Sequence, residues 1–385
     1  MARTLHADLE SAQRLGYPTG GVQPALNLVF TRGATTYDYS FNPTLNTNRP
    51  TQLEHHEQTW DDYATIILRN NDLAVPDLRG YYVDIGYGAQ TASGLRYSAA
   101  PRLWVKEQYE VSMTGGAYGL RVVLTLGGKM RILREQKMQL GYAPTFRAEG
   151  GQLTGLTIYG ILNLFLGAGG TLAVETGYAF TLDALGSQDD GFINTFVPQP
   201  TNIDSNGDLL GFRPQVGDTY ATFFERLMRN TKCKLMAGSG LTYKIVYPQV
   251  TDAVNERYYS ASADGHPFTD YQESKFLLIP NWIAVYGGYR GTTSNMETYD
   301  YIGNAYDPES WSPAHDYNGS YMRVRHYFSD KNEGGYISSQ PNAQKIAEAR
   351  LDQARENTFG GRAVIPHDCG IELYDNAVFI NTRGV

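Results

Sequence analysis

The sequence predicts a mainly β fold with a few helices, a β-rich α+β class, and three observations carry that expectation. Short apolar or alternating runs, separated by Gly, Pro and Asn clusters, crowd the first third of the chain. Tyrosine reaches 29 residues and glycine 41 while charged residues make up only 19%, a mixture that suits strands, turns and broad uncharged hydrogen-bonding surfaces. Helical patterns are few and isolated. At 385 residues the chain is long enough for two or three domains, each with its own core.

Residues 4 to 15 place Leu5, Leu9, Ala12 and Leu15 at helical spacing, and Gly16, Pro18, Gly20 and Gly21 break the pattern, so a short amphipathic helix leads the chain. ALNLVF, TTYDYSF, QTWDDYATIIL, YYVDIGYG, RLWVKEQYEV and LRVVLTL then read as six or so strands, with no helical pattern among them. This density predicts an antiparallel barrel or sandwich from residue 22 to about 140, because parallel strands need crossover helices.

A helix-bearing stretch begins near Tyr142. LTIYGILNLFLGAGG carries a helical pattern stopped by Gly167, Gly169 and Gly170. TYATFFERLMRNT repeats the device, with Phe223, Phe224, Leu227 and Met228 facing inward and Asp218 or Thr219 available as N-cap. Residues 186 to 218 between them read as a long loop. KLMAGSG and LTYKIVYP read as a hairpin about Gly238-Ser239-Gly240. From Thr251, strands are expected in SKFLLIPNWIAVYGG, SYMRVRHYF, RAVIPHD and ELYDNAVFIN. The strongest helix follows Ser338 or Ser339 as cap, with Pro341 in its first turn, Ile346, Ala347, Arg350, Leu351 and Ala354 at helical spacing, and Gly360-Gly361 as the stop. Its Ala-rich face permits close approach, first of all to its own domain's sheet.

Charge and composition exclude several functions. The 32 Lys and Arg against 40 Asp and Glu leave a net charge of −8, which does not favour gripping a phosphate backbone. No apolar run approaches the roughly 18 to 20 residues of a membrane-spanning helix. The N-terminus lacks the apolar stretch of a secretory leader, so synthesis in a cytoplasm is expected. Two cysteines, Cys233 and Cys369, allow one disulfide but no disulfide framework.

No motif for catalysis or cofactor binding survives. Glu54-His55-His56-Glu57 is the densest histidine cluster, but adjacent strand residues point to opposite faces, and Trp60 breaks HExxH. His266, beside Pro267, and His367, beside Pro366, read as structural. Asp204-Ser205-Asn206-Gly207-Asp208 starts like a calcium loop, then puts Leu209 where glycine is required and lacks the closing Glu. Gly238-Ser239-Gly240 lacks the flanks and following helix of a nucleophile elbow. Gly167-Ala168-Gly169-Gly170 ends a helix, where the dipole repels phosphate. Asp61-Asp62, Asp189-Asp190 and Asp316 near Glu309 could serve a glycosidase, although 40 acidic residues produce such pairs by chance. Tyr81-Tyr82, Trp104, Tyr258-Tyr259 and Trp282 could stack on sugars, although strand alternation buries half of them. No catalytic, cofactor-binding or metal residue is assigned, and no cofactor is expected.

Four phrases taken in order resemble the tail hub proteins of long-tailed bacteriophages, the tail-tip or baseplate hub family. They are TIILRNNDLAVPDLRGYYVDIGYG with APRLWVKEQYEVS, then DTYATFFERLMRNTKCKLMAGSGLTYKIVYP, then HPFTDYQESKFLLIPNWIAVYGG, and finally IAEARLDQARENTFGGRAVIPHDCGIELYDNAVFINTRG. The resemblance spans most of the chain. It implies tube-like β-barrel domains at 1–140 and 251–385, the second with a long helix near 340–359, flanking a helix-bearing α+β domain at 141–250. It also implies a homotrimeric ring in the virion, assembled in the host cytoplasm, whose six barrels match a hexameric tail tube. The expected partners are further copies of the chain, the tail tube or distal tail protein, the tape measure protein and tip or host-binding proteins. DNA would pass through the lumen without specific binding, and no enzyme activity is expected. From a different class, a carbohydrate-active β-protein is the alternative, either a sugar-binding module or a glycosidase. An outer-membrane barrel is disfavoured by the discontinuous strand pattern.

Overall fold

The computed structural model describes residues 3, 5–19, 22–112, 119–138, 156–186, 191–198, 217–249, 251–260, 266–275, 280–293, 296–307, 324–330 and 337–381. The fold is mostly β with a few helices. Helix α1 (Ala7–Thr19) starts later than the spacing suggested and continues through Gly16 and Pro18. A proline in a final turn removes one backbone bond and little else.

The first third then lays down β1 (Pro24–Asn27), β2 (Val29–Arg32), β3 (Thr35–Asp38), β4 (Pro50–Gln58), β5 (Asp61–Arg69), β6 (Tyr82–Thr91), β7 (Gly94–Ser112) and β8 (Leu120–Gly128). They form one antiparallel sheet in the order β3-β2-β6-β7-β8-β5-β4, with β1 also on β6. Alternation fixes the faces: Asp62, Ala64, Ile66 and Leu68 of β5 are all buried while the residues between them are not. The long β7 serves two neighbours, pairing β6 from Gly94 to Trp104 and β8 from Leu103 to Ser112. Register shifts at Asp84/Gly86 and Val105/Glu107 bend the sheet around a core that includes Phe30, Ile66, Val83, Ile85, Leu103 and Leu124.

Among the described residues the curl stops short of closure, as do the other sheets. Neither strand-rich end shows the expected barrel closed among the described residues. In the first sheet the two edges are β3, four residues long, and β4, nine residues long, and so short a strand offers β4 little to pair with.

Where β8 ends, α2 (Lys129–Glu135) begins, in a stretch that reads as helix-free. It has no local capping side chain. Its cap comes from 68 residues away: Oδ1 of Asp62 accepts from the amides of Met130 (3.0 Å) and Arg131 (3.2 Å). Gly128 is required for this approach, since a Cβ there would lie 2.1 Å from the Asp62 carboxylate. Lys129, fully buried, sends its Nζ to the carbonyls of Gly238 (2.7 Å) and Thr242.

A second core gathers α2, α3 (Ile158–Leu166), α4 (Thr171–Thr176), β9 (Thr181–Leu182), a 3-10 turn at Phe192–Asn194, α5 (Tyr220–Met228), β10 (Lys234–Ala237) and β11 (Thr242–Val246). Thr157 caps α3, and Thr219 caps α5 in a reciprocal box with Thr222. The span Ile158–Thr176 is long and apolar enough to cross a membrane by length and composition. It turns at Gly167–Gly170, however, and α3 buries Ile158, Ile161, Leu162, Phe165 and Leu166 in this core. The hairpin about Gly238-Ser239-Gly240 forms as expected. Most of the 186–218 loop lies outside the described residues.

The remainder contains β12 (Glu256–Tyr259), β13 (Asp270–Lys275), β14 (Trp282–Thr293), β15 (Met296–Tyr306), β16 (Arg325–Ser329), α6 (Gln340–Glu356), β17 (Phe359–Val364) and β18 (Ala377–Ile380). Ser339 caps α6, and Pro341 sits in its first turn. Ile283, Val285 and Ala305 of the β15-β14-β16 sheet, with Ala343, Ile346, Ala347 and Leu351 of α6, join the second core. The two chain ends also meet: the Arg3 amide donates to the Gly370 carbonyl (2.8 Å), and the Cys369 amide to Gln13 (2.8 Å). Cys233 and Cys369 are both buried and are not joined in a disulfide.

Gly128→Ala is expected to force the Asp62 cap and the start of α2 apart, at a cost of about 1 to 3 kcal/mol. Chemical denaturation of the variant against the parent protein measures it.

Candidate functional site

The histidine pair of β4 behaves as strand alternation requires. His55 turns inward, its Nδ1 2.6 Å from the Tyr87 hydroxyl, while His56 stays exposed and stacks on Tyr63 at 4.6 Å. Beneath His55 lies a polar knot in which Arg3 pairs with Glu57 and, at 3.5 Å, with Glu372, which also receives Lys244 at 3.1 Å. His367 packs on the Tyr87 ring at 4.4 Å. Burial pushes the His55 imidazole down to about 4, against the pull of Glu57, and pushes the Cys369 thiol up to about 12. A thiol so held is a poor nucleophile.

Among the described residues, the carboxylate pair Asp61-Asp62 provides no acid and base facing a cleft. Asp61 pairs with Arg134 (3.3 Å), while Asp62 points into the core as the α2 cap, with burial raising its pKa to about 6. Asp189, Asp190, Glu309, Asp316 and the 204–208 segment lie outside the described residues. Of the aromatic residues singled out, Trp104 and Tyr258 are buried, and Tyr82 lies under the Arg102 guanidinium at 3.9 Å.

Residues far apart in sequence converge where the chain ends meet. His266, Glu256 and Asp368 face one another, with Nδ1 of His266 3.5 Å from Asp368 and 3.8 Å from Glu256. Burial disfavours the Asp368 carboxylate, yet the facing His266, the Gly370 amide and the Tyr258 hydroxyl hold it down at about 2. Ten and 102 residues separate His266 from its two partners, so no motif signals the group.

Exposed aromatic side chains gather on the outer face of β15-β14-β16. Trp282, Ala284 and Tyr286 on β14 lie opposite Tyr306, Asn304 and Ile302 on β15, and Trp282 and Ala284 lie opposite Arg325 and Tyr327 on β16. Tyr306 and Tyr327 are 60% and 58% exposed, far more than ordinary packing leaves an aromatic. The face is already organised: Tyr286 contacts Tyr327 at 5.9 Å, Trp282 contacts Tyr306 at 6.2 Å, and the Arg325 guanidinium lies 3.6 Å above Trp282. The opposite face receives α6 so closely that a Cβ on Gly303 would lie 2.0 Å from the Ala343 carbonyl.

The edge of β15 is closed by glutamines one helical turn apart. Gln340 accepts from the Ile302 amide (3.1 Å) and donates to its carbonyl (2.7 Å). Gln344 does the same for Asn304 (3.1 and 2.9 Å). Each side-chain amide thus substitutes for a neighbouring strand. What the arrangement offers is a rigid aromatic face with one sealed edge, a surface suited to protein contact.

This architecture resembles that of a solved tail protein. The tail protein from Neisseria meningitidis MC58 superposes with a TM-score of 0.54 and 11% identity, over 94% of this chain and 87% of that one. The 43 kDa tail protein of prophage MuSo2 from Shewanella oneidensis gives 0.48 and 10%, over 89% and 82%. No family model and no curated protein matches the sequence.

The fold holds His55 near 4 against 6.5 for the free group. Because the folded value is depressed, this contribution to stability is complete above pH 6.5 and drains away as pH falls toward 4, by at most about 3 kcal/mol. Melting temperatures followed across that window are expected to fall, and to fall less steeply in His55→Gln.

Proposed function

We propose that the chain is a structural protein of a phage tail or tail-like particle, and that it forms a homotrimeric hub ring at the tail tip, closing the tail tube and joining it to the baseplate. The observation that carries this reading is the architecture shared with the Neisseria tail protein over 94% of the chain at a TM-score of 0.54. A likeness of that extent concerns the whole arrangement of sheets and helices, not one widespread module. The role is structural: the protein holds other proteins together and leaves chemistry to them.

In this reading residues 1–140 and 251–385 act as the two tube-like domains, with 141–250 as the helix-bearing domain between them. The curled, unclosed sheets then find their remaining edge partners in neighbouring copies, as a ring requires. The aromatic face of β14 to β16 serves subunit contact, where Tyr and Trp bury large areas at little entropic cost. The tail tube or distal tail protein, the tape measure protein and tip or host-binding proteins are the flanking partners in the virion, and assembly takes place in the host cytoplasm. A net charge of −8 per copy suits a lumen that passes DNA without holding it.

Light scattering on the purified protein is expected to give three times 42.8 kDa, and negative-stain images a ring with a central hole. A species that stays monomeric both alone and with its tail-tube protein overturns the hub reading. Tyr306→Ser with Tyr327→Ser is expected to weaken trimer association at least about tenfold while the circular dichroism spectrum stays that of the parent.

A further inference from the structure

The meeting point of the two chain ends contains a set of donors whose chemistry the structural role does not use. Glu256 opens β12, His266 follows the segment after that strand, and Asp368 lies beyond β17. Their ligand atoms, one nitrogen and two carboxylate oxygens, all lie within 4.8 Å of one another. The side chains of His266 and Asp368 are 8% and 5% exposed, and that of Glu256 18%.

Two features set this group apart from an ordinary buried ion pair. First, Nδ1 of His266 is buried and faces both carboxylates at 3.5 and 3.8 Å, too long for a hydrogen bond of ordinary geometry. A buried ring nitrogen held in ion-pair contact without a close hydrogen-bond partner is one that an ion can take up. Second, the outer atoms are already fixed. Asp368 Oδ1 accepts from the Gly370 amide (2.8 Å) and Gln13 (3.3 Å), Oδ2 accepts from the Tyr258 hydroxyl (2.8 Å), and Glu256 Oε1 accepts from the Arg257 amide (2.8 Å). Such outer partners orient ligands around an ion.

We propose that Glu256, His266 and Asp368 form a binding site for a divalent transition-metal ion, coordinated by His266 Nδ1, Glu256 Oε2 and Asp368 Oδ2. An ion about 2.1 Å from each donor needs donors about 3 to 4 Å apart, and the two separations from His266, 3.5 and 3.8 Å, meet that need. The mixed nitrogen and oxygen set suits Zn²⁺, Co²⁺ or Mn²⁺ better than Ca²⁺ or Mg²⁺. A cavity of about 120 Å³ borders Gln13, Glu256 and Asp368, with space for a water beside the two carboxylates. Arg14 now reaches Glu256 Oε2 at 2.9 Å and Glu10 at 3.1 Å. An incoming cation displaces it from Glu256 and leaves it on Glu10. The bound ion then staples β12 to the C-terminal segment beside α1, independently of how many copies assemble.

The test titrates chelator-stripped full-length protein with Co²⁺ by absorption and with Zn²⁺ by calorimetry, and follows melting. One ion per chain, visible-region Co²⁺ bands and a rise of a few degrees in melting temperature at saturating Zn²⁺ are expected. Glu256→Gln, which preserves shape, and His266→Ala are each expected to weaken binding at least about a hundredfold, whereas His56→Ala leaves it unchanged. Arg14→Gln is expected to tighten it. The proposal is overturned if the parent protein takes up no ion, or if Glu256→Gln and His266→Ala bind as the parent does.

Discussion

One buried contact fastens the two cores together, and it centres on α2. Asp62 belongs to the first sheet and caps the helix, while Lys129, the first residue of that helix, reaches into the β10–β11 hairpin. The Tyr243 hydroxyl returns a bond to the Lys129 carbonyl at 3.3 Å. Burial pushes Lys129 down to about 7 and Asp62 up to about 6, so both sit far from their ordinary values. Such a junction contributes little net stability for the desolvation it requires, and breaking it from one side leaves an uncompensated polar group. Its value lies in register: it fixes how the curled sheet meets the helical core, and so how every later element is presented.

Much of the local structure was legible because its causes are local. Thr219, Thr157 and Ser339 cap helices through their own neighbours, and the Gly238-Ser239-Gly240 turn sets its hairpin. The β5 alternation and the docking of the Ala-rich α6 on its own sheet follow from periodicity. What escaped has distant causes. The cap of α2 is supplied by Asp62, β4 is a polar strand paired along one side only, and β15 is aromatic and polar in nearly equal measure. The His266 group is assembled from three segments of chain. Of the aromatic residues that strand alternation divides between core and surface, Trp104 and Tyr258 are buried and Trp282 lies on the outer face.

Three buried ionisable groups, His55, Asp62 and Asp368, lie in seams between elements, where they hold pieces of one chain in place. The outer face of β14 to β16 depends on aromatic area, one guanidinium stacked on an indole, and backbone rigidity. Proteins that bind other proteins through such faces change partners by changing side chains without altering the scaffold.

The glutamine ladder on β15 has a consequence for polymerisation. A sheet that grows from copy to copy without limit needs two open edges in each molecule. Here Gln340 and Gln344 occupy the β15 edge at Ile302 and Asn304, so a strand pairing there has to displace both side-chain amides. Among the described residues the helix that packs on one face of this sheet thus also guards part of its edge against strand addition.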